Sequence, residues 1–336
     1  MTTVGNSAVT LLDVARRTVD KKIAKLIEVL HDTNEILQDI MWMSCNDGDN
    51  HVVSIRTGLP SVAWKRFNYG VAQSKGQSQT VKEATGLLRA YSKVDKDLAD
   101  KNGNAAEFRA SEDVGFLEAM NQELATTLFY GNTNVTAEKF NGFSMRYITP
   151  STDRRKIGYN MINGGGSGAT NTSVWLVGWG EQTCFGIYPA SERAGFEMDD
   201  LGVQLFEDSA GLLNRYYVTE YSWRVGLCVK DWRHVVRICN IDMTEFDDVG
   251  ESTFDGAALL HLMIRAIRRR PPTVLGRAVF YMNGDLLTHL DLMANFDNRL
   301  ALKVTEVDGQ PITSFRGIPI RRCDALLNTE AAVTFA

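Results

Sequence analysis

The stretch NAAEFRASEDVGFLEAMNQELATTLFYG, residues 104–131, carries the clearest helix signal in the chain. Asn104 stands where an N-cap belongs, with Glu107 three residues on, the capping-box spacing. Phe108, Val114, Leu117, Met120, Leu124 and Leu128 then recur at helical spacing and trace one apolar stripe. Gly131 supplies the stop. At ~1.5 Å per residue, positions 105–130 would run ~39 Å, long for a globular core and suited to a spine along which other elements are laid.

Upstream of the helix the pattern is that of strands. Val52, Val53, Ile55 and Thr57 read as extended, and Gly58-Leu59-Pro60 would interrupt a sheet interior, since proline donates no ladder hydrogen bond. Extended character resumes through Val62, Trp64, Phe67 and Tyr69. A polar tip follows at 73–79, including Lys75 and Gln77, and then a return strand at 80–94 with Gly86 inside it. These residues predict a long hairpin within 48–100. A two-stranded hairpin is marginal alone in water. One carrying Trp64, Phe67, Leu87, Leu88 and Tyr91 needs a surface to lie on, and a neighbouring subunit is the candidate. Ahead of it, positions 1–47 read as an N-terminal arm. Val19, Ile23, Leu26, Ile27 and Leu30 share one helix face, with Lys21, Lys22, Lys25 and Glu28 opposite. A second short helix passes through Ile36, Leu37, Ile40 and Met41.

Downstream, the glycine run at 164–168 reads as a flexible link. Trp175, Val177 and Trp179 alternate. Tyr217, Thr219, Tyr221, Trp223, Val225, Leu227 and Val229 occupy one strand face, with Glu220, Ser222 and Arg224 on the other, the sign of half-buried antiparallel strands. Lys230-Asp231 turns into a strand at 235–241. The last third predicts a helix at 254–269, a strand at 277–282, and a helix at 286–294 capped near Asn283 or Asp285. A hairpin at 301–320 turns at Asp308-Gly309. This is α+β organisation.

Composition narrows the function. The 336 residues carry 41 acidic and 36 basic side chains, a net charge of -5, which argues against a chain built to coat nucleic acid non-specifically. No apolar run approaches the ~20 residues of a membrane-spanning helix, so no membrane partner is expected. The first residues lack the basic start and apolar run of a secretory signal, so a cytoplasm is the expected place of synthesis. Cys45, Cys184, Cys228, Cys239 and Cys323 are odd in number, widely spaced and without a CxxC pair, so they read as inert thiols.

Catalytic and metal-binding signatures are missing. The glycine run has no GxxxxGK[ST] or GxGxxG context. The five histidines show no HExxH, and there is no GxSxG elbow. Carboxylate groups at 95–100, 197–200 and 245–251 lack EF-hand spacing and read as solvated or inter-subunit charge. No catalytic residue, metal or cofactor is therefore expected. Arg265, Arg268, Arg269 and Arg270 close a helix just before Pro271-Pro272. Cations suit a helix C-terminus, where carbonyls accumulate negative charge. The functional alternative is a contact with DNA phosphate or with acidic residues of a neighbour.

Specific stretches carry a family likeness. Arg56-Thr57-Gly58-Leu59-Pro60-Ser61-Val62-Ala63-Trp64, leading to Asn68-Tyr69-Gly70-Val71, resembles the hairpin entry of tailed-phage major capsid proteins with the HK97-like fold. So do Val94-Asp95-Lys96-Asp97-Leu98-Ala99 and Glu118-Ala119-Met120-Asn121-Gln122-Glu123. Phe129-Tyr130-Gly131-Asn132-Thr133, then Phe140-Asn141-Gly142-Phe143, resembles that family's exit from the spine helix. The likeness implies an N-terminal arm (1–47), an extended hairpin or E-loop (48–100), a peripheral domain (101–242) with the spine helix and a β-sheet, an axial α+β domain (243–322) and a C-terminal segment (323–336). One block departs from the usual order. Tyr281-Met282-Asn283, the helix after it and Gly317-Ile318-Pro319-Ile320 follow the long strands instead of preceding them, as in the rearranged coat proteins of some podophages.

The likeness implies a function as well. Many copies would form pentamers and hexamers that close into an icosahedral shell around packaged double-stranded DNA. Scaffold, cement and portal proteins would be further partners, the virion its destination and the host cytoplasm its place of assembly. Some relatives lock the shell by a lysine-asparagine bond from the hairpin. Lys75 and Lys82 are available, but the lysine motif is not recognisable and no cross-link is predicted. An encapsulin-like compartment for cargo enzymes would use the same fold. An enzyme of another class would need a pocket with converging polar groups.

Overall fold

A computed structural model describes residues 18–19, 22–23, 34–101, 104–191, 196–207, 211–244, 256–271, 275–296, 302–307 and 310–335. They fall into two compact units, one drawn from within 1–32, 87–125 and 195–224, the other from within 33–86, 126–194 and 225–336.

In the first unit, β1 (Thr18–Val19) pairs antiparallel with β2 (Lys22–Ile23). Val19 and Ile23, read above as one helix face, therefore sit on paired strands. Leu26, Ile27 and Leu30 lie outside the described residues. Further along the chain of this unit come β6 (Gly86–Asp95), α2 (Lys96–Asp100), most of α3 (Ala105–Tyr130), β10 (Glu197–Glu207) and the first part of β11 (Leu213–Val229). Asn104 caps α3 as expected, its Oδ1 accepting from the Glu107 N–H at 3.3 Å. Phe108, Met120 and Leu124 are buried, but Val114 and Leu117 of the same stripe are exposed. β10 and β11 form a long antiparallel ribbon, with a bulge at Asp200/Gly202 where Gly202 takes a φ of +70°. β6 pairs with β11. The Lys93 ammonium, on β6, lies 4.3 Å from the Phe206 ring centroid and 4.2 Å from that of Tyr216, a cation–π clamp between ribbon and strand.

The second unit holds α1 (Ile36–Asp39), β3 (Trp42–Ser44), β4 (Asn50–Gly58), β5 (Gln77–Ala84), β7 (Met161–Asn163), β8 (Asn171–Trp179), β9 (Cys184–Tyr188), β12 (Val235–Asp242), α4 (Gly256–Arg269), β13 (Arg277–Met282), α5 (Gly284–Phe296), β14 (Leu302–Val307), β15 (Gln310–Phe315) and β16 (Ile318–Arg322). β8 is its axis. It pairs antiparallel with β12 on one side and β13 on the other, and β13 pairs parallel with β16. Every residue of β8 is buried. The half-buried strand expected from the Trp175/Val177/Trp179 alternation is thus covered on both faces. Val174 and Leu176 pack with Leu259, Met263 and Ala266 of α4 and Leu286 and Leu290 of α5. On the opposite face Trp175 meets Phe129, Phe143 and Tyr147, at centroid distances of 6.1, 5.6 and 5.6 Å.

That first core runs across the boundary expected at 242/243. Ile162, Val174, Val236 and Ile238 share one hydrophobic cluster with Leu259, Phe280, Leu286 and Ile320, so the peripheral and axial segments do not bury separate cores here. The displaced block folds as β13, α5 and β16. Asn283 caps α5 as expected, accepting from the Asp285 N–H at 2.9 Å. The single predicted strand at 311–320 is two strands, β15 and β16, turned at Arg316-Gly317 with φ of 50° and 79°, the left-handed pair of a two-residue hairpin. The Asp308-Gly309 turn lies outside the described residues.

The glycine run is not a free link. Gly164 and Gly166 donate to Cys239 O and Asn240 O at 2.7 and 2.8 Å, laying the backbone against β12. A Cβ at Gly164 would come within 2.6 Å of Asn240 O, and one at Gly166 within 2.3 Å of Asn171 Oδ1. Close approach, not flexibility, selects glycine there.

Candidate subunit-contact surface

The hairpin is shorter and barer than its sequence suggested. β4 and β5 pair antiparallel from Asn50↔Ala84 to Gly58↔Gln77. Residues 59–76 between them form no strand. The return strand does not run on to 94. At Thr85 the chain bends, its N–H and hydroxyl both donating to Asp49 O, at 3.3 and 2.9 Å. A Cβ at Gly86 would press on Glu138 O at 3.0 Å. Beyond the bend β6 takes β11 as its partner. Leu87, Leu88 and Tyr91 are therefore on a different element from Trp64, Phe67, Tyr69, Lys75 and Gln77. Leu87 and Tyr91 are exposed there, and Leu88 is half-buried.

Residues 59–75 are all exposed. Trp64 is 103% and Phe67 94% accessible, with Leu59, Val62 and Tyr69 also open to water. Burying one such side chain is worth roughly 1.5–3 kcal/mol, so leaving several of them in water is costly unless a partner covers them. The loop is nonetheless shaped: Ser74 Oγ donates to Ser61 O at 2.6 Å, and Asn68 takes a φ of 65° in a turn closed by the Tyr69 N–H on Arg66 O at 3.2 Å. Its charge is one-sided. From His51 to Lys82 there is no Asp or Glu, against the cations Arg56, Lys65, Arg66, Lys75 and Lys82.

The base of this finger is anchored by a pair between residues far apart in sequence. Glu83, the first acid after the basic stretch, accepts from Arg146 Nη1 and Nη2 at 2.5 and 2.8 Å. Arg146 also reaches Asn141 O and Leu227 O, both at 3.3 Å. Both side chains are nearly buried, the setting in which a fork-on-fork pair fixes geometry. Lys82, one residue earlier, makes only an exposed pair with Asp47 at 3.0 Å.

The four arginines at the end of α4 divide. Arg265 and Arg268 are exposed. Arg269 is turned inward, Nη1 donating to Met161 O at 2.7 Å and to Tyr159 O. Arg270 is partly buried, and burial lowers its pKa.

All five cysteines are free and buried. Burial pushes the thiols up, to about 11 for Cys45 and Cys239 and about 12 for Cys228 and Cys323, which suits unreactive side chains. Among the described residues no group of three His, Cys, Asp or Glu side chains could hold a metal ion. A cavity of about 500 Å³ is lined by Thr170, Met243, Thr244, Asp285, Thr288, His289 and Asn328.

A family model described as major capsid protein GP7 matches residues 18–334. The chain belongs to that family. It is a phage coat protein, one of many copies that form an icosahedral shell. A chain in the near-atomic structure of bacteriophage epsilon15 is 35% identical, with 100% of each chain covered and a TM-score of 0.77, and the fold is HK97-like. More distant likenesses are a chain of the procapsid of bacteriophage JBD30 (13% identity, 88% of this chain and 92% of that one, TM-score 0.42) and an encapsulin complex of Synechococcus elongatus (10%, 70% and 98%, TM-score 0.46). No curated protein matches the chain in sequence. Membership of a capsid family favours a virion coat over the encapsulin-like compartment.

Proposed function

We propose that the finger at 59–76 is the part of this coat protein that grips the next copy, and that copies so joined form the pentamers and hexamers of a shell around phage DNA. The observation that carries this reading is a loop with Trp64 and Phe67 fully in water and no acidic residue along its length. Such a loop fits a partner surface that is acidic and apolar together. Another copy offers one. From Asp95 to Glu123 the chain holds eight acids against three cations, with Val114 and Leu117 exposed among them. Each lasting contact would bury about 800 Å² per partner. Leu87, Leu88 and Tyr91 belong to a separate contact. The shell protein has no catalytic role in this reading, and assembly takes place in the host cytoplasm. Scaffold, cement and portal proteins complete the particle.

The test is a Trp64→Ser/Phe67→Ser double variant, examined by electron microscopy and by thermal unfolding. It should unfold like the parent and fail to form shells. Normal shells from that variant would sink the reading.

A further inference from the structure

We propose that the end of α4 and the loop at 153–156 together form an anion site for the phosphate backbone of nucleic acid. The chain is acidic overall, yet cations converge here from two distant stretches of sequence. Tyr159 holds them together. Its ring centroid lies 4.5 Å from Arg269 Cζ and 5.9 Å from Arg154 Cζ. Arg155 and Lys156 are exposed beside Arg154. Arg265 and Arg268, three residues apart on α4 and within one turn of Arg269, are exposed.

No ion pair ties any of these cations to a carboxylate among the described residues. Two acids of the same unit are held by other donors, one of them inside the loop itself. Asp153 Oδ1 accepts from the Arg155 backbone N–H at 3.0 Å, and Asp231 clamps Arg233 at 2.9 and 2.7 Å. Arg270 adds a second sign of a missing partner: Nε and Nη1 are buried and donate to nothing among the described residues. Arg269, held by two backbone carbonyls and the Tyr159 ring, binds an anion at its remaining edge more strongly than a mobile, solvated guanidinium would.

Like charges gathered around one ring repel one another. A single carboxylate relieves little of that. A polyanion relieves most of it, and releases its own counterions in doing so. The density of positive charge thus favours phosphates over the few carboxylates a neighbouring copy could bring. Identifying the polyanion as packaged DNA rests on the proposed function; the site itself does not.

The experiment is fluorescence anisotropy of a short labelled DNA duplex with the unassembled full-length subunit, titrated across salt concentrations. The parent should bind, with affinity falling as salt rises. An Arg154→Ala/Arg265→Ala/Arg268→Ala variant should bind more weakly, its log–log salt slope reduced by about 0.9 for each phosphate it no longer neutralises. Arg265→Lys/Arg268→Lys keeps the charge and should keep the slope. Shells are scored separately by electron microscopy and should still form. No DNA binding by the parent, or an unchanged slope in the alanine variant, overturns the site. So does an alanine variant that binds DNA normally but no longer assembles, since the patch would then meet carboxylates of another copy.

Discussion

Arg237 and Glu330 stand 93 positions apart and meet in an ion pair of 3.0 Å with both side chains about 7% exposed. Around them Tyr130 Oη donates to Glu330 Oε1 at 2.5 Å, the Ser173 hydroxyl donates to Oε2, and Arg237 Nη1 donates to Tyr147 O at 3.0 Å. The Glu330 N–H reaches Asn171 O at 2.8 Å, and Asn240 exchanges two bonds of 2.8 Å with the Val333 backbone. The stretch after β16 is thereby laced onto β8 and β12. A buried pair of this kind adds little over apolar packing, but removing one partner strands the other. Glu330→Ala should therefore lower stability by about 3–5 kcal/mol, read from the denaturant midpoint. A loss below about 1 kcal/mol would mean that water reaches Arg237.

Two neighbouring residues at the finger's base should behave very differently. Glu83→Ala leaves Arg146 charged and buried, and should cost about 3 kcal/mol. Lys82→Ala breaks only the exposed pair with Asp47 and should cost under about 1 kcal/mol. Equal losses in urea unfolding would refute the distinction drawn from burial.

A Cβ on Gly226 would sit 2.7 Å from Ala84 O and 3.0 Å from the Ile187 side chain. Ala84 ends β5, so its carbonyl cannot retreat without shifting the finger. Gly226→Ala should destabilise by about 1–3 kcal/mol, in the range of overpacked cores. Hydrogen exchange should quicken in β4 and β5. Parent-like exchange there would show that the finger is not set by this contact.

Acid should weaken the fold through histidine. Burial lowers the pKa of His234 below its usual 6.5, with Arg270 and Arg233 adding to the effect and Asp231, at 3.7 Å, opposing it. His51 shifts the same way, again chiefly by burial. Folding thus keeps these rings neutral. Their contribution is complete above pH 6.5 and is lost as pH falls through the folded value, because the unfolded chain takes up protons first. Stability should decline on moving from pH 7 to pH 5, and His234→Gln should flatten that decline. A variant with the parent's full pH dependence would put the titrating group elsewhere.

Much of this was legible because its signals are local. Asn104 and Asn283 cap helices through bonds made within three residues, so their spacing alone reveals them. The strand 277–282 was read to the residue. The errors share one cause, a partner far away in sequence. Extended character runs on from Thr80 to Val94, so little local shows that the chain exchanges β4 for β11 at Thr85. Val114 and Leu117 keep the stripe's spacing yet remain exposed. Arg146 answers Glu83 from 63 positions away. A signal was available at one of these places, since Glu83 is the first acid after an unbroken basic stretch. The near-continuous apolar run of β8 was another, the mark of a strand covered on both faces.

The finger's single sign of charge bears on symmetry. Two such loops repel, and neither offers the other an acid, so two subunits gain nothing by meeting finger to finger across a twofold axis. On the proposed reading each contact joins unlike surfaces, donor to acceptor. Contacts of that kind leave one unsatisfied end on every growing chain of subunits until rotation brings it back to the start, which favours closed rings over pairs.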